Sequence, residues 1–214
     1  MITIKTIQCN NLGENCYIVS DETKECAIID CGASSPMEQQ AISDYITAEG
    51  LTVKHHLLTH GHFDHCLGAK WVCDTYGVQP TINDNDVELY KSFKSDAATV
   101  GYAAIDYDQP IVGRCVNDGN TVEFGNTSFK VIHTPGHSRG SVVYYSQDEH
   151  TAFTGDTLFR GCIGRTDLPG GSMFQMINSL RQLQRLPENT DIYPGHGAST
   201  TMAFEGQTNP YLDM

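Results

Sequence analysis

The segment Leu57-Leu58-Thr59-His60-Gly61-His62-Phe63-Asp64-His65 constrains this chain most: an apolar strand runs directly into four potential metal ligands and then into a helix. His60 and His62 stand two apart, so on an extended backbone both imidazoles leave on the same face and can share one ion. Gly61 places no side chain between them. Asp64 and His65 fall where the chain turns into the helix and aim elsewhere, so one segment can feed two adjacent ions. A plain polar strand end is a poor account of three histidines and an aspartate in so short a stretch.

Three further strand ends carry the same chemistry behind turn residues. Ser128–His133 leads through Thr134-Pro135-Gly136 to His137, Thr151–Thr154 leads through Gly155 to Asp156, and Asp191–Tyr193 leads through Pro194-Gly195 to His196. Singly, each His or Asp beside Pro or Gly reads as an ordinary turn residue. Together with the first cluster they read as loops converging on one edge of packed sheets. His60, His62, Asp64, His65, His137, Asp156 and His196 are too many ligands for one four-coordinate ion that keeps a position open for water. Two ions fit if Asp156 bridges. The first then takes His60, His62, His137 and Asp156, and the second takes Asp64, His65, His196 and Asp156. Paired cations can lower the pKa of a water to about 7 and clamp both ends of a displacement, so the chemistry expected is hydrolysis.

The rest of the chain supplies a frame for such an edge. Strands are expected at Thr3–Gln8, Cys16–Ser20, Cys26–Asp30 and Val53–Thr59, with helices at Pro36–Glu49 and Asp64–Tyr76. The second half repeats the rhythm, with strands near Thr121–Phe124, Ser128–His133, Ser141–Tyr145, Thr151–Thr154 and Asp191–Tyr193 and a helix over Ser172–Leu186. Asn83–Tyr102 has helical stretches of ambiguous period and could be a cover. Strands with interleaved helices, rather than strict βα alternation, predict an α/β sandwich of two mixed sheets with helices on the outer faces, in a single domain over 1–214.

Charge narrows the partners. Thirteen Lys plus Arg against 26 Asp plus Glu give −13, a field that repels phosphate backbones and anionic headgroups, so neither nucleic acid nor membrane is expected as partner. The opening MITIKTIQ lacks the features of a secretory leader, which points to the cytoplasm. The eight cysteines form no C-x-x-C pair and are expected as reduced, mostly buried thiols, Cys66 and Cys162 among them. His55 and His56 are expected ahead of the strand core and His150 in a polar turn. His133 could stand behind His137, and none of these four is read as a ligand. Arg160 and Arg165 are assigned to a loop held by internal ion pairs rather than to an anionic substrate.

With these residues in place, the sequence resembles the metallo-β-lactamase superfamily and, within it, the short glyoxalase II-like hydrolases. The resemblance spans essentially the whole chain, through Asp30-Cys31-Gly32, Thr59–His65, Thr134-Pro135-Gly136-His137-Ser138, Gly155-Asp156-Thr157-Leu158-Phe159 and Tyr193-Pro194-Gly195-His196-Gly197. It implies a four-layer αβ/βα sandwich, a dinuclear site with the ligand split counted above, and a supporting role for Asp30 behind the ligands. The common zinc β-lactamases carry Cys where Asp156 stands, so antibiotic hydrolysis is set aside. Eighteen residues follow His196, and no appended helical glutathione-binding segment is expected.

The function expected is hydrolysis of a small-molecule thioester, as in hydroxyacylglutathione hydrolases, by a hydroxide bridging two divalent ions. Asp64 would orient and deprotonate the water. Zinc is the first choice of metal, with iron or manganese as alternatives. A mononuclear iron persulfide dioxygenase using His60, His62 or His137 with Asp156 is the second reading, and a non-catalytic metal-binding protein the third.

Overall fold

Several central strands read as near-continuous apolar runs because both of their faces are covered. In the computed structural model, which describes residues 1–102 and 105–212, β1 (Thr3–Cys9), β2 (Glu14–Ser20) and β3 (Glu25–Ile29) run antiparallel, followed by helix α1 (Pro36–Glu49). Strands β4 (Thr52–Leu57), β5 (Pro80–Asn83) and β6 (Arg114–Val116) then add in parallel, giving a mixed sheet in the order β1-β2-β3-β4-β5-β6. Helices α2 (Phe63–Cys66), α3 (Ala69–Tyr76), α4 (Val87–Lys91) and α5 (Phe93–Thr99) fill the connections.

The second half supplies β7 (Thr121–Phe124), β8 (Thr127–His133), β9 (Val142–Ser146), β10 (Thr151–Gly155), the small hairpin β11 (Leu158–Phe159) and β12 (Cys162–Ile163), helix α6 (Met173–Leu183), β13 (Asp191–Pro194), β14 (Thr200–Thr201) and α7 (Met202–Thr208). Its main sheet runs β14-β13-β10-β9-β8-β7, with β10 and β13 parallel. Residues 103, 104, 213 and 214, which the expected 1–214 domain includes, lie outside the described residues.

Four layers follow from the two-residue period of the strands. Tyr17, Val19, Ala27, Ile29 and Leu57 meet Phe129, Val131, Tyr144 and Phe153 between the sheets. Alternate residues Cys16, Ile18, Cys26 and Ile28 pack outward with Ile42 and Ile46 of α1 and Val72 of α3. On the other side Ile132, Val143, Tyr145 and Ile192 pack outward with Met176, Leu180 and Leu183 of α6 and Met202 of α7. Helix α1 is bounded by its own sequence: Ser35 and Glu38 form a capping box, Pro36 opens the first turn, and Gly50 closes the last in the left-handed conformation (φ 64°).

The structure corrects several expectations. The helix expected over Asp64–Tyr76 is two helices, broken at Leu67-Gly68. Gly68 N–H donates to the Cys31 carbonyl at 2.8 Å, and a Cβ there would lie 2.4 Å from Cys31 Sγ, so the chain must bend where it docks on Cys31. The short strands β5, β6 and β14 and the β11–β12 hairpin had no apolar run to mark them. Five cysteines are buried and all eight are free, but Cys162, expected buried, is exposed on β12. Among the described residues, no helix is long and apolar enough to cross a membrane.

His55 and His56 lie within β4, as the expected strand Val53–Thr59 placed them, and His56 is fully buried with both ring nitrogens unpartnered among the described residues. Burial pushes its pKa down to about 3. Between pH 6.5 and 3 the unfolded chain therefore binds a proton that the folded chain refuses, and stability falls as pH falls, by up to about 1.4 kcal/mol per pH unit. His56→Leu should flatten the acid side of the stability curve between about pH 6 and 4 in urea titrations; an unchanged slope would assign the acid sensitivity to other groups.

Candidate metal centre

Each strand-end loop that carries a potential ligand is held by backbone or buried polar contacts. Asp30, at the end of β3 with φ 53°, accepts from Thr59 N–H at 2.7 Å and from Thr59 Oγ1 at 2.7 Å. This fixes the exit of β4, from which His60 and His62 follow. The parallel pairing of β10 and β13 delivers Asp156 and His196 at the same sheet edge, where Gly195 N–H donates to the Gly155 carbonyl at 2.9 Å. Gly61 has a different reason from the one expected. A Cβ there would lie 2.8 Å from Asp86 O and Tyr90 N, so its bareness admits the covering segment.

Hydrogen bonds on the far side of each ring set which nitrogen faces inward. Because the Thr59 hydroxyl donates to Asp30, it accepts from His60 Nδ1 (3.1 Å), leaving His60 Nε2 without a proton. His65 Nδ1 donates to Asp30 Oδ2 (2.9 Å), His137 Nδ1 to the Arg165 carbonyl (2.8 Å) and His196 Nδ1 to the Leu12 carbonyl (3.2 Å). The Nε2 atoms of all four rings therefore turn to one place.

There the structure gathers every residue singled out in the sequence as a candidate ligand. The ligand atoms of His60, His62 and His137 lie within 4.8 Å of one another, as do those of His60, His65 and Asp156 and those of Asp64, His65 and His196. Asp156 spans the groups: Oδ1 is 3.4 Å from His65 Nε2, and Oδ2 is 3.4 Å from His137 Nε2 and 3.8 Å from His196 Nε2. Asp64 Oδ2 is 3.3 Å from His196 Nε2.

The donor set fits divalent cations on its own chemistry. His60 Nε2 and Asp156 Oδ1 are buried and have no hydrogen-bond partner among the described residues. His62 Nδ1 faces His137 Nε2 at 2.8 Å, and His65 Nε2 faces His196 Nε2 at 3.2 Å. Each contact is a hydrogen bond if one ring donates, whereas two bare nitrogens so close, as ligands to ions would be, need a positive charge among them. Burial pushes His60 and His62 down, and the neighbouring imidazoles add to it. Burial raises Asp156, but the facing His65, His137 and His60 together outweigh it and hold the carboxyl well below its ordinary range. His65 is pulled down by burial yet ends well above its ordinary value, because Asp156, Asp64 and Asp30 surround it. The carboxylates thus call for a cation at the position that Nε2 of His65 faces.

Of the other histidines, His133 Nε2 donates to the Arg139 carbonyl (2.9 Å), not to a ligand ring, and His150 sits in a turn with φ 48°. Arg165 pairs with Asp167 through two 2.7 Å bonds, while its carbonyl orients His137. Sequence reasoning missed that carbonyl and the Leu12 carbonyl, because a backbone acceptor leaves no residue-type signal. Buried Glu14, within 4.8 Å of Asp30 and His65, was also missed. Above the donors opens a cleft of about 470 Å³ walled by Leu12, Phe63, Leu89, Val100, Leu168 and Pro169.

A profile of the Metallo-beta-lactamase superfamily matches residues 10–196. The chain is 35% identical over 216 residues to hydroxyacylglutathione hydrolase GloC of Haemophilus influenzae, covering 99% of each protein. It is similar to the crystal structure of BLEG-1 B3 metallo-beta-lactamase (TM-score 0.90, 32% identity, 99% of this chain and 100% of that one). It is also similar to TTHA1623 in a di-iron-bound form (TM-score 0.87, 34% identity, 97% and 100%).

One further side chain braces the donors. Asp86, fully buried just ahead of α4, accepts from Gly61 N–H (3.0 Å), Ser138 Oγ (2.6 Å) and Gly140 N–H (2.6 Å). It therefore ties the His60–His62 loop to the loop of His137. Asp86→Asn keeps the shape but turns an amide against these donors. It should weaken metal retention at the His60–His62–His137 group by about 10–100-fold and spare the Asp64–His65–His196 group. Metal per chain after dialysis against graded chelator reads this out, and unchanged retention of both ions would contradict it.

Proposed function

Because the chain belongs to the metallo-beta-lactamase superfamily, we propose that it is a metal-dependent hydrolase acting on a small-molecule thioester in the cleft above the donor cluster. The reading rests on one observation: two groups of donors sit side by side with Asp156 reaching both. His60, His62, His137 and Asp156 would hold one ion, and Asp64, His65, His196 and Asp156 the other. Zinc is the first choice, with iron or manganese as alternatives, and one similar structure is described as di-iron-bound. Two such cations supply an acidified water and a polarised carbonyl at neutral pH.

The chain's own groups do the rest. Asp64, 9% exposed at the cleft floor, orients the attacking water and accepts its proton at a carboxylate oxygen. The water oxygen joins the acyl carbon, the carbon–sulfur bond breaks, and the thiolate leaves to take up a proton. Ser92, the one serine among the described lining residues, is bonded to Asp96 and the Leu89 carbonyl and to no imidazole among the described residues, so a serine–histidine nucleophile has no support. Arg165 and His137 stay fixed through the carbonyl contact and keep the imidazole inward. Eight free cysteines favour a reducing compartment such as the cytoplasm.

Two other activities are measured alongside. The likeness to a protein described as a B3 metallo-beta-lactamase makes β-lactam opening a comparison substrate. A mononuclear iron persulfide dioxygenase needs one donor group, and the presence of Asp64, His65 and His196 together favours two ions instead. Thiol release from S-lactoylglutathione should exceed both β-lactam opening and oxygen uptake with glutathione persulfide, at two metal ions per chain. Asp156→Ala should lose more than the 10–100-fold typical of residues behind the ligands. Wild-type turnover in that variant, or one ion per chain with oxygen uptake, would overturn the reading.

A further inference from the structure

We infer that the cleft selects a thioester whose carrier thiol bears a positive charge and no phosphate, an amine-bearing thiol, with Asp96 on α5 reading that charge. The inference rests on the thioester reading above. Apart from the donors, the described walls of the 470 Å³ cleft are mostly apolar, and their charged side chains are Asp96 and Arg165. Arg165 is already committed, Nε to Asp167 Oδ1 and a terminal nitrogen to Oδ2, each at 2.7 Å. Asp167 thus balances its charge, and the pair brings no net positive charge to the cleft wall.

Asp96 is the opposite case. It is half-buried, and one carboxylate oxygen accepts from Ser92 Oγ at 2.5 Å. It has no salt-bridge partner among the described residues, and the Ser92 bond holds the carboxylate in place. A cation entering the cleft would meet it beside the apolar walls, where an ion pair is screened less than at an open surface. Past Leu89, Ser92 and Pro169 a pocket of about 310 Å³ continues, and its charged lining residues among those described, Arg139 with Asp86 and Glu88, carry no net positive charge. The overall charge of −13 works in the same direction against polyanionic carriers.

A charge series tests this on the metal-loaded protein. Propionyl thioesters of thiocholine, N-acetylcysteamine and 3-mercaptopropionate carry +1, 0 and −1 on carriers of similar size, and propionyl-coenzyme A adds phosphates. We expect kcat/KM to fall from thiocholine to mercaptopropionate by about fivefold per charge, with the coenzyme A ester poorest. The Kd values of the matching non-hydrolysable thioethers, measured by calorimetry, should follow the same order. Asp96→Asn should abolish the thiocholine preference and leave the neutral ester unchanged. A carboxylate that only favours the start of α5 would lower the Tm in that variant and leave the order intact, and this result would overturn the inference, as would a best rate with the anionic or coenzyme A ester. If no ester is hydrolysed, the thioester reading fails by itself, and the thioether Kd order still decides the role of Asp96.

Discussion

The Asp30 carboxylate, 1% exposed at the end of β3, accepts from a backbone N–H, a hydroxyl and an imidazole, and each of these contacts fixes something different. The Thr59 N–H sets the exit angle of β4. The Thr59 hydroxyl passes the effect on to His60 Nδ1, and the direct bond to His65 settles the second ring. Two donors from one segment therefore take their proton positions from a carboxylate that does not itself face the cleft. A buried anion is costly unless its oxygens are filled, and here filling them is the same act as orienting the rings. The left-handed backbone at Asp30 (φ 53°) is the local strain that puts the side chain there.

What the sequence made legible follows from the scale of each interaction. The cluster from His60 to His65 and the turns before His137, Asp156 and His196 were readable because ligand chemistry and turn chemistry are both properties of residue type. The sandwich was readable because β2, β3, β9 and β10 are apolar on both faces, which only a layered packing rewards. The break at Gly68 was not, since it depends on Cys31 lying against it across the fold. Nor was Asp86, which sits in Asp84-Asn85-Asp86, a triplet that reads as any polar turn until Gly61, Ser138 and Gly140 are brought around it.

The segment after β5 illustrates how a stretch of weak periodicity can still be specified. Helices α4 and α5 are short, and their buried residues Tyr90, Phe93 and Ala97 face inward to different neighbours. Tyr90 packs with Leu58 and Cys66, while Phe93 and Ala97 join Phe63 and Leu67. Helix α2, which carries Asp64 and His65, is thus gripped by the covering segment through Phe63 and Leu67. No long amphipathic stripe is needed, because anchoring comes from a few large side chains rather than from a continuous face. The same helices present Leu89, Ser92 and Asp96 to the cleft, so one piece of chain both clamps the donors and shapes what approaches them.

His60, His62, Asp64 and His65 come from the first sheet's half of the chain, whereas His137, Asp156 and His196 come from the second. An ion bound among them behaves as a rivet through two plates. Separating the plates and letting go of the rivet become a single event, so the free energy of capture is added to the cohesion of the whole sandwich. Neither half, expressed alone, could retain the full set of donors, and resistance of the native chain to heat or proteases should track the metal available in its surroundings.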